Sequence, residues 1–243
     1  MRRTRAASLP ALLGLALLSG CATFHEGAPL PPPDGALAAC EGSVAARLQY
    51  LEPRLAAHAS YANRWYWIWQ GVHAGGLVYS GVMAGVEDDG GERALQAVDA
   101  TKSAIGVAYL AIEPPALRDG MDAVTQVDVG TSDGCVARLR AAEELLYAAA
   151  EDAHEQRRGW LTHVGNLALN LIGAVIVAEG FDESSGWSSG ALGVVTGELE
   201  LWSYPWHAEH TVREYERRFP RDELSAPRWR IEERGDDTVM ILD

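Results

Sequence analysis

Residues 65–86 read WYWIWQGVHAGGLVYSGVMAGV, a run of 22 residues without Asp, Glu, Lys or Arg. A second run, WLTHVGNLALNLIGAVIVA at residues 160–178, lacks charge over 19 residues. Each run is long enough to form an apolar helix of bilayer length. Gly71 and Gly75, like Gly81 and Gly85, have the spacing that lets helices approach closely. The two runs predict a mainly α fold with two long apolar helices.

Both runs occupy the same place in a pattern that repeats with an offset of 95 residues. Trp65 follows Cys40 by 25 residues, and Trp160 follows Cys135 by 25 residues. In each copy an amphipathic helix, an apolar helix, an acidic tip and a return helix follow the cysteine. We therefore predict a helical bundle of two related helix-plus-hairpin units, with two chance-similar hairpins as the alternative. The predicted boundaries are 40–134 for unit 1, 135–224 for unit 2 and 225–243 for a small C-terminal β-hairpin.

The amphipathic helices are predicted from the spacing of their apolar residues. Leu48, Leu51 and Leu55 are separated by three and four residues, which places them on one helix face. In unit 1 this helix should run to Asn63 and carry a kink at Pro53, before a separate apolar helix from Trp65. Unit 2 has a stripe of smaller residues at the same spacing: Val136, Leu139, Ala142, Leu146, Ala149 and Ala153.

The first 21 residues have the pattern of an export signal. Arg2, Arg3 and Arg5 precede an apolar run at residues 12–18, which is too short to span a bilayer. The following Leu18-Ser19-Gly20-Cys21 resembles the lipobox of bacterial lipoproteins. The resemblance implies a lipoprotein signal peptide at residues 1–20, lipidation of Cys21 by diacylglycerol, and acylation of the new amino terminus by a fatty acid such as palmitate. An ordinary secretory signal with a chance cysteine is the alternative.

The same resemblance sets the expected location. Ala22, which is not Asp, implies release to the outer membrane with the protein facing the periplasm; the inner membrane is the alternative. Residues 21–39 are rich in proline and are predicted to be an extended tether. The arrangement of Cys, helix, Arg-Trp and Gly-rich hairpin also looks like that of uncharacterised bacterial envelope lipoproteins, which implies no activity.

Charge and cysteine content limit the partners. The chain has 20 basic and 34 acidic residues, and removal of the signal would take away three arginines and no acid. Such an acidic protein repels phosphate groups, which excludes nucleic acid as an expected partner. Cys40 and Cys135 remain after lipidation of Cys21, and in an exported protein an even pair predicts a disulfide; two free buried thiols are the alternative.

The apolar helices allow two interpretations. The return segments carry Asp99, Lys102, Glu198 and Glu200, and acidic tips disfavour a cytoplasmic location. We therefore predict hairpins that are buried against each other and against the amphipathic helices, with membrane insertion as the alternative. Six tryptophans at the base of the hairpins fit either a membrane-interface belt or the wide end of a bundle: Trp65, Trp67, Trp69, Trp160, Trp202 and Trp206.

Polar residues on the apolar helices are the best candidate site. His163, Asn166 and Asn170 form a stripe on one helix face, His73 is the matching residue in unit 1, and Glu198 could face the stripe. Because buried polar groups need partners, we predict hydrogen bonds that set the register of the hairpins. A buried ligand or proton site built from these five residues is the alternative.

No metal site, cofactor or catalytic residue is predicted. Glu151 and His154 have half of a di-metal pattern, and the other unit supplies no matching Glu. His207 and His210, with Glu214, are too few for a supported zinc site. Nucleophile elbows, P-loops and zinc-protease motifs are missing from the sequence.

The expected function is that of a lipid-anchored envelope protein of structural or interaction type, attached to the membrane and able to contact an envelope protein partner. One alternative is a binding module for a lipid or other apolar ligand between the hairpins. A second alternative is an integral membrane helical protein. An enzyme is the least supported class.

Overall fold

Helices account for most of the residues that the computed structural model describes, namely Leu37, residues 40–220 and, as backbone, residues 229–234 and 237–242. The predicted signal peptide, Cys21 and nearly all of the tether lie outside the described residues. The described helices are α1 (Gly42–Val86), α2 (Gly90–Ile112), α3 (Ala116–Gln126), α4 (Ser132–Arg158), α5 (Trp160–Gly180), α6 (Ser185–Ser203) and α7 (His207–Arg218).

The first half of α1 packs with α3, α4 and α7 into what we call the base bundle. Leu48, Leu51 and Leu55 are fully buried there, which confirms the face predicted from their spacing. Leu139 and Leu146 of α4 lie in the same core. Each such leucine stabilises the fold by about 2–5 kcal/mol relative to alanine. The base bundle therefore has a conventional apolar core.

A disulfide joins Cys40 to Cys135, as predicted from the cysteine pair. It ties the residue just before α1 to the first turn of α4. The bond closes a loop of 95 residues, so the two helices cannot separate at this end.

A charged network is buried inside the base bundle. Arg47 Nη1 lies 3.2 Å from Glu143 Oε1 and 3.2 Å from the Tyr215 hydroxyl. The hydroxyl of Tyr215 donates to the Glu143 carboxylate, and burial raises the pKa of Tyr215 above its usual range. The network joins α1, α4 and α7.

Replacing Glu143 with alanine is expected to lower the free energy of unfolding by about 3–5 kcal/mol, because Arg47 then keeps a buried charge without its carboxylate. Chemical denaturation of the purified protein measures the loss. Glu144→Ala, at the exposed neighbouring position, is the matched control, with an expected change within about 0.5 kcal/mol. Equal losses in the two variants would contradict a role for the network.

The remaining helices form two hairpins. Hairpin 1 is residues 65–86 of α1 with α2, and hairpin 2 is α5 with α6. Asp89 begins α2 by accepting hydrogen bonds from the backbone N–H groups of Gly91 and Glu92. Hairpin 1 and hairpin 2 contact each other through α2. The hairpins and the base bundle together confirm a mainly helical bundle.

Glycines on α6 allow α5 and α6 to lie unusually close. A Cβ atom added at Gly190 would lie 2.6 Å from the Ala174 Cβ and 3.0 Å from the Asn170 carbonyl oxygen. One added at Gly186 would lie 2.8 Å from the Val177 Cβ. Small residues that permit such close approach are typical of helix pairs in membranes.

Gly190→Leu is therefore expected to destabilise hairpin 2 by about 1–3 kcal/mol or more through overpacking. Gly165→Leu is the matched control on the outward face of α5, since nothing lies within 4 Å of a Cβ at that position. Thermal unfolding compares the two variants with the wild type. If Gly165→Leu destabilised as much as Gly190→Leu, the close α5–α6 contact would not explain the effect.

The two units differ where their amphipathic and apolar segments meet. The prediction of two separate helices in unit 1 is wrong, since α1 is continuous from Gly42 to Val86 and passes through Pro53 and Arg64. In unit 2, Gly159 interrupts the chain between α4 and α5. A side chain at Gly159 would collide with the Glu155 carbonyl oxygen, whereas the residue 95 positions earlier, Arg64, is compatible with a helix.

Near the C-terminus the described backbone forms strands β1 (Trp229–Arg234) and β2 (Asp237–Leu242). They pair antiparallel, with Arg234 opposite Asp237 and Trp229 opposite Leu242.

Candidate functional site

The outward faces of both hairpins are apolar. Beyond the acidic tips and the first turn of α2, where Arg93 is exposed, no Asp, Glu, Lys or Arg among the described hairpin residues is exposed. Large apolar side chains are exposed instead. In hairpin 1 these include Ile68, Val78, Tyr79, Val82, Ile105 and Ile112; in hairpin 2 they include Leu161, Leu167, Leu171, Ile172, Val175, Leu192 and Val195.

The expectation that the apolar helices are buried is wrong for these faces. Leu171, near the middle of α5, is 49% exposed. Among the described helices, Trp160–Gly180 alone meets a length and hydropathy test for crossing a membrane, and 22% of its most apolar window is buried. The reason is geometric: each hairpin helix packs with one face against its neighbours, and α4 contacts α5 and α6 only sparsely.

Beyond the tips and the first turn of α2, the ionisable side chains of the hairpins lie toward neighbouring side chains and pair with one another. His73 Nε2 lies 3.0 Å from Glu200 Oε2, which joins α1 to α6. His163 Nδ1 lies 2.8 Å from Glu198 Oε2, which joins α5 to α6. The hairpins are therefore polar inside and apolar outside.

A third pair lies farther from the base bundle. Lys102 Nζ lies 2.7 Å from Asp99 Oδ1 within α2. Ser189 of α6 donates to Asp99 at 2.7 Å and accepts from Lys102 at 3.3 Å. This contact connects hairpin 1 to hairpin 2.

The structure brings together four of the five predicted stripe residues. Asn166 donates to Glu198 Oε1 at 3.0 Å, beside the His163 contact, and Asn170 donates to Asn166 Oδ1 at 2.9 Å. His73 belongs to a separate pair with Glu200, which the sequence reasoning did not include in the site. The sequence offered one signal for this second pair: Glu198 and Glu200 are two residues apart on α6, so they face different neighbours.

The aromatic residues at the base divide into two groups. Trp65 and Trp69 are buried, and both donate to the Ser203 hydroxyl, at 3.0 and 3.2 Å. The other tryptophans of the predicted group are exposed at the junction between the hairpins and the base bundle: Trp67, Trp160, Trp202 and Trp206.

Arginines accompany the exposed rings. The Arg157 guanidinium carbon lies 5.8 Å from the centre of Trp202 and 5.3 Å from that of Trp206. The Arg118 guanidinium carbon lies 5.6 Å from the centre of the Trp67 ring. Such contacts are favourable cation–π interactions, and they produce a boundary of aromatic and basic groups.

The metal candidates are not assembled. Glu151 and His154 are both exposed on α4, and His210 lies 3.8 Å from Glu214. His207 stacks on Trp206 instead. Within the described residues there is no group of three or more His, Cys, Asp or Glu side chains that could hold a metal ion.

Comparison of the chain with protein-family models, with curated proteins and with solved structures gives no match. The function is therefore argued from the hairpins alone.

Proposed function

We propose that this chain is a lipid-anchored envelope protein of structural or interaction type, whose two hairpins insert into a lipid bilayer. The observation that carries the proposal is the inverted polarity of the hairpins: exposed apolar faces enclose paired charges. A soluble protein rarely exposes large contiguous apolar patches, and in a bilayer ionisable side chains face the bundle interior.

The helix lengths support this proposal. The four hairpin segments contain 22 residues (65–86 of α1), 23 (α2), 21 (α5) and 19 (α6). At 1.5 Å per residue they are about 28–34 Å long, and the hydrocarbon core of a bilayer is about 30 Å thick. All four segments therefore match this thickness in length, and among the described helices α5 alone also meets the hydropathy criterion.

The charged return segments no longer argue against insertion. Asp99 and Lys102 neutralise each other, and Glu198 and Glu200 each contact a histidine. Each of these side chains faces a neighbouring helix, so insertion does not require a lipid-facing charge.

The boundary between hairpins and base bundle fits a membrane interface. Amphipathic rings such as tryptophan concentrate at headgroup level, where Trp67, Trp160 and Trp202 would then lie. Both hairpins begin and end at the base bundle, so its helices would remain on one side of the membrane.

That side would be the periplasm. A disulfide persists in oxidising compartments, and the lipid implied at Cys21 by the lipobox resemblance would enter the same membrane face. The tips, which include Asp88 and Asp89, lack the excess of Lys and Arg that is typical of cytoplasmic loops. Because Ala22 follows the lipobox cysteine, we propose the outer membrane, with the inner membrane as the alternative. The partner is then the lipid bilayer, together with an envelope protein in an interaction role; nucleic acid is excluded by charge.

The finer architecture is part of the proposal. Offsets of 95 residues relate not only Cys40 to Cys135 but also the first residue of α2, Gly90, to that of α6, Ser185. The last residue of α5, Gly180, lies 94 residues after Val86 at the end of α1. These offsets support an internal repeat of two helix-plus-hairpin units, followed by the C-terminal β-hairpin.

The alternative of an apolar ligand between the hairpins has less support. The two hairpins are in direct contact where α5 meets α2, since a Cβ atom added at Gly173 would lie 3.0 Å from Val98 Cγ1. A binding module of that type needs a cavity at this interface.

Cysteine accessibility tests the proposal. In a variant lacking Cys21, Leu171→Cys should resist a water-soluble maleimide in membranes and react after detergent solubilisation and unfolding. Tyr147→Cys, exposed on the base bundle, is the control and should react in both conditions. Rapid reaction of Leu171→Cys in intact membranes would overturn insertion.

A further inference from the structure

The break between α4 and α5 is bridged by a single side chain. His163 Nε2 lies 3.0 Å from the carbonyl oxygen of Arg157, the second residue before Gly159. Its Nδ1 lies 2.8 Å from Glu198 Oε2 on α6. His163 therefore connects the end of α4 to both helices of hairpin 2. The residue 95 positions earlier is Ile68, in the continuous helix α1, where no break needs a bridge.

The two contacts of His163 determine how many protons the His163–Glu198 pair carries. A backbone carbonyl only accepts, so Nε2 of His163 must carry hydrogen. The contact between Nδ1 and the carboxylate needs a second hydrogen, either on an imidazolium or on a protonated Glu198. Both arrangements hold one proton more than a neutral histidine beside a carboxylate.

The second histidine pair provides an internal comparison. His73 contacts Glu200 through Nε2, whereas His163 uses both ring nitrogens. The geometry that requires an extra proton is therefore that of His163.

We infer that His163 and Glu198 form a proton-binding site that fixes hairpin 2 to the end of α4, so that proton release loosens hairpin 2 at Gly159. This inference rests on the proposed function, because it assigns regulation to one of the hairpins that insert. The ligand of the His163–Glu198 site is the proton, and proton binding makes the attachment of hairpin 2 to the end of α4 dependent on pH.

The surrounding groups leave the site with one exchangeable proton. Asn166 of α5 donates to the other oxygen of Glu198, and the Trp202 ring of α6 lies 6.0 Å from the His163 ring. The Arg157 guanidinium of α4 lies against Trp202 and Trp206. Of the other hairpin charges, His73 of α1 pairs with Glu200 of α6, Lys102 pairs with Asp99 on α2, and Arg93 donates to the Glu87 carbonyl oxygen at the tip of hairpin 1.

The direction of the pH effect follows from the proton count. The folded state binds the extra proton and the unfolded state releases it above the ordinary histidine pKa of about 6.5. Stability is therefore present at lower pH and decreases as pH rises. His58 acts oppositely and at lower pH, because burial lowers its pKa to about 4, so it does not interfere above about pH 6.5.

The experiment uses one variant that keeps the contacts of the protonated His163–Glu198 pair, and one control variant. Glu198→Gln presents an amide that can donate to His163 Nδ1 and accept from Asn166, so it needs no extra proton. Glu200→Gln is the matched control at the other pair. Free energies of unfolding of the solubilised protein are measured from about pH 6.5 to about pH 9, the range in which a histidine–carboxylate site titrates.

We expect the folding equilibrium constant to fall by about two- to fivefold more in the wild type than in Glu198→Gln over this range, as for a partly exposed ion pair, and Glu200→Gln to behave like the wild type. The rate of trypsin cleavage after Arg158 is measured at each pH in the wild type and in Glu198→Gln. The rate in the wild type, divided by that in Glu198→Gln, should increase toward high pH. Equal pH slopes in the wild type and Glu198→Gln would overturn the proton site. Maleimide protection of Leu171→Cys in intact membranes reports separately on insertion.

Discussion

Replacing Leu171 with arginine should prevent hairpin 2 from inserting. Leu171 lies near the middle of α5 on the outward face, and arginine near a bilayer centre costs about 3 kcal/mol on insertion scales. That cost corresponds to roughly a 100-fold change in the insertion equilibrium. Membrane fractionation of the variant without Cys21 lipidation measures the effect.

The direction of the change in membrane association distinguishes hairpins that insert into the bilayer from hairpins that are exposed to water. A charge on a water-exposed face is neutral or improves solubility, so Leu171→Arg would then behave like the wild type or better. Tyr147→Arg is the control, because Tyr147 is exposed on the base bundle and should tolerate the charge in either case.

Removing the disulfide should produce the largest loss of stability. The Cys40–Cys135 bond closes a loop of 95 residues, for which chain entropy predicts about 4–5 kcal/mol. The double variant Cys40→Ala/Cys135→Ala is compared with Cys21→Ala by chemical denaturation. A loss below about 1 kcal/mol would contradict the role of the bond as a structural staple.

Periodicity in the sequence was sufficient to predict the buried face of the first half of α1. The spacing of Leu48, Leu51 and Leu55 places them on one face of any helix, so their burial needed no knowledge of the partner helix. The disulfide followed from the count of cysteines in a chain predicted to carry an export signal. Both features depend on local or compositional information.

The outward orientation of the apolar faces was not predictable in the same way. Glu200 and Lys102 indicated helices unsuited to a membrane because the sequence does not show that Glu200 meets His73, 127 residues away. The continuous helix α1 was also missed. Arg64 and Trp65 occupy the positions in unit 1 that correspond to Gly159 and Trp160 in unit 2, where the chain does break. In each case a long-range contact or a backbone collision decided the outcome.

The most direct test of membrane insertion removes the lipid anchor and leaves the hairpins. Residues 22–243 are directed to the periplasm behind a cleavable secretory signal, so that neither a lipid nor an uncleaved leader remains, and the membranes are washed with carbonate and then extracted with detergent. Insertion predicts that the protein stays in the washed membranes and is released only by detergent. A monodisperse protein in the soluble fraction, without detergent, would contradict the account.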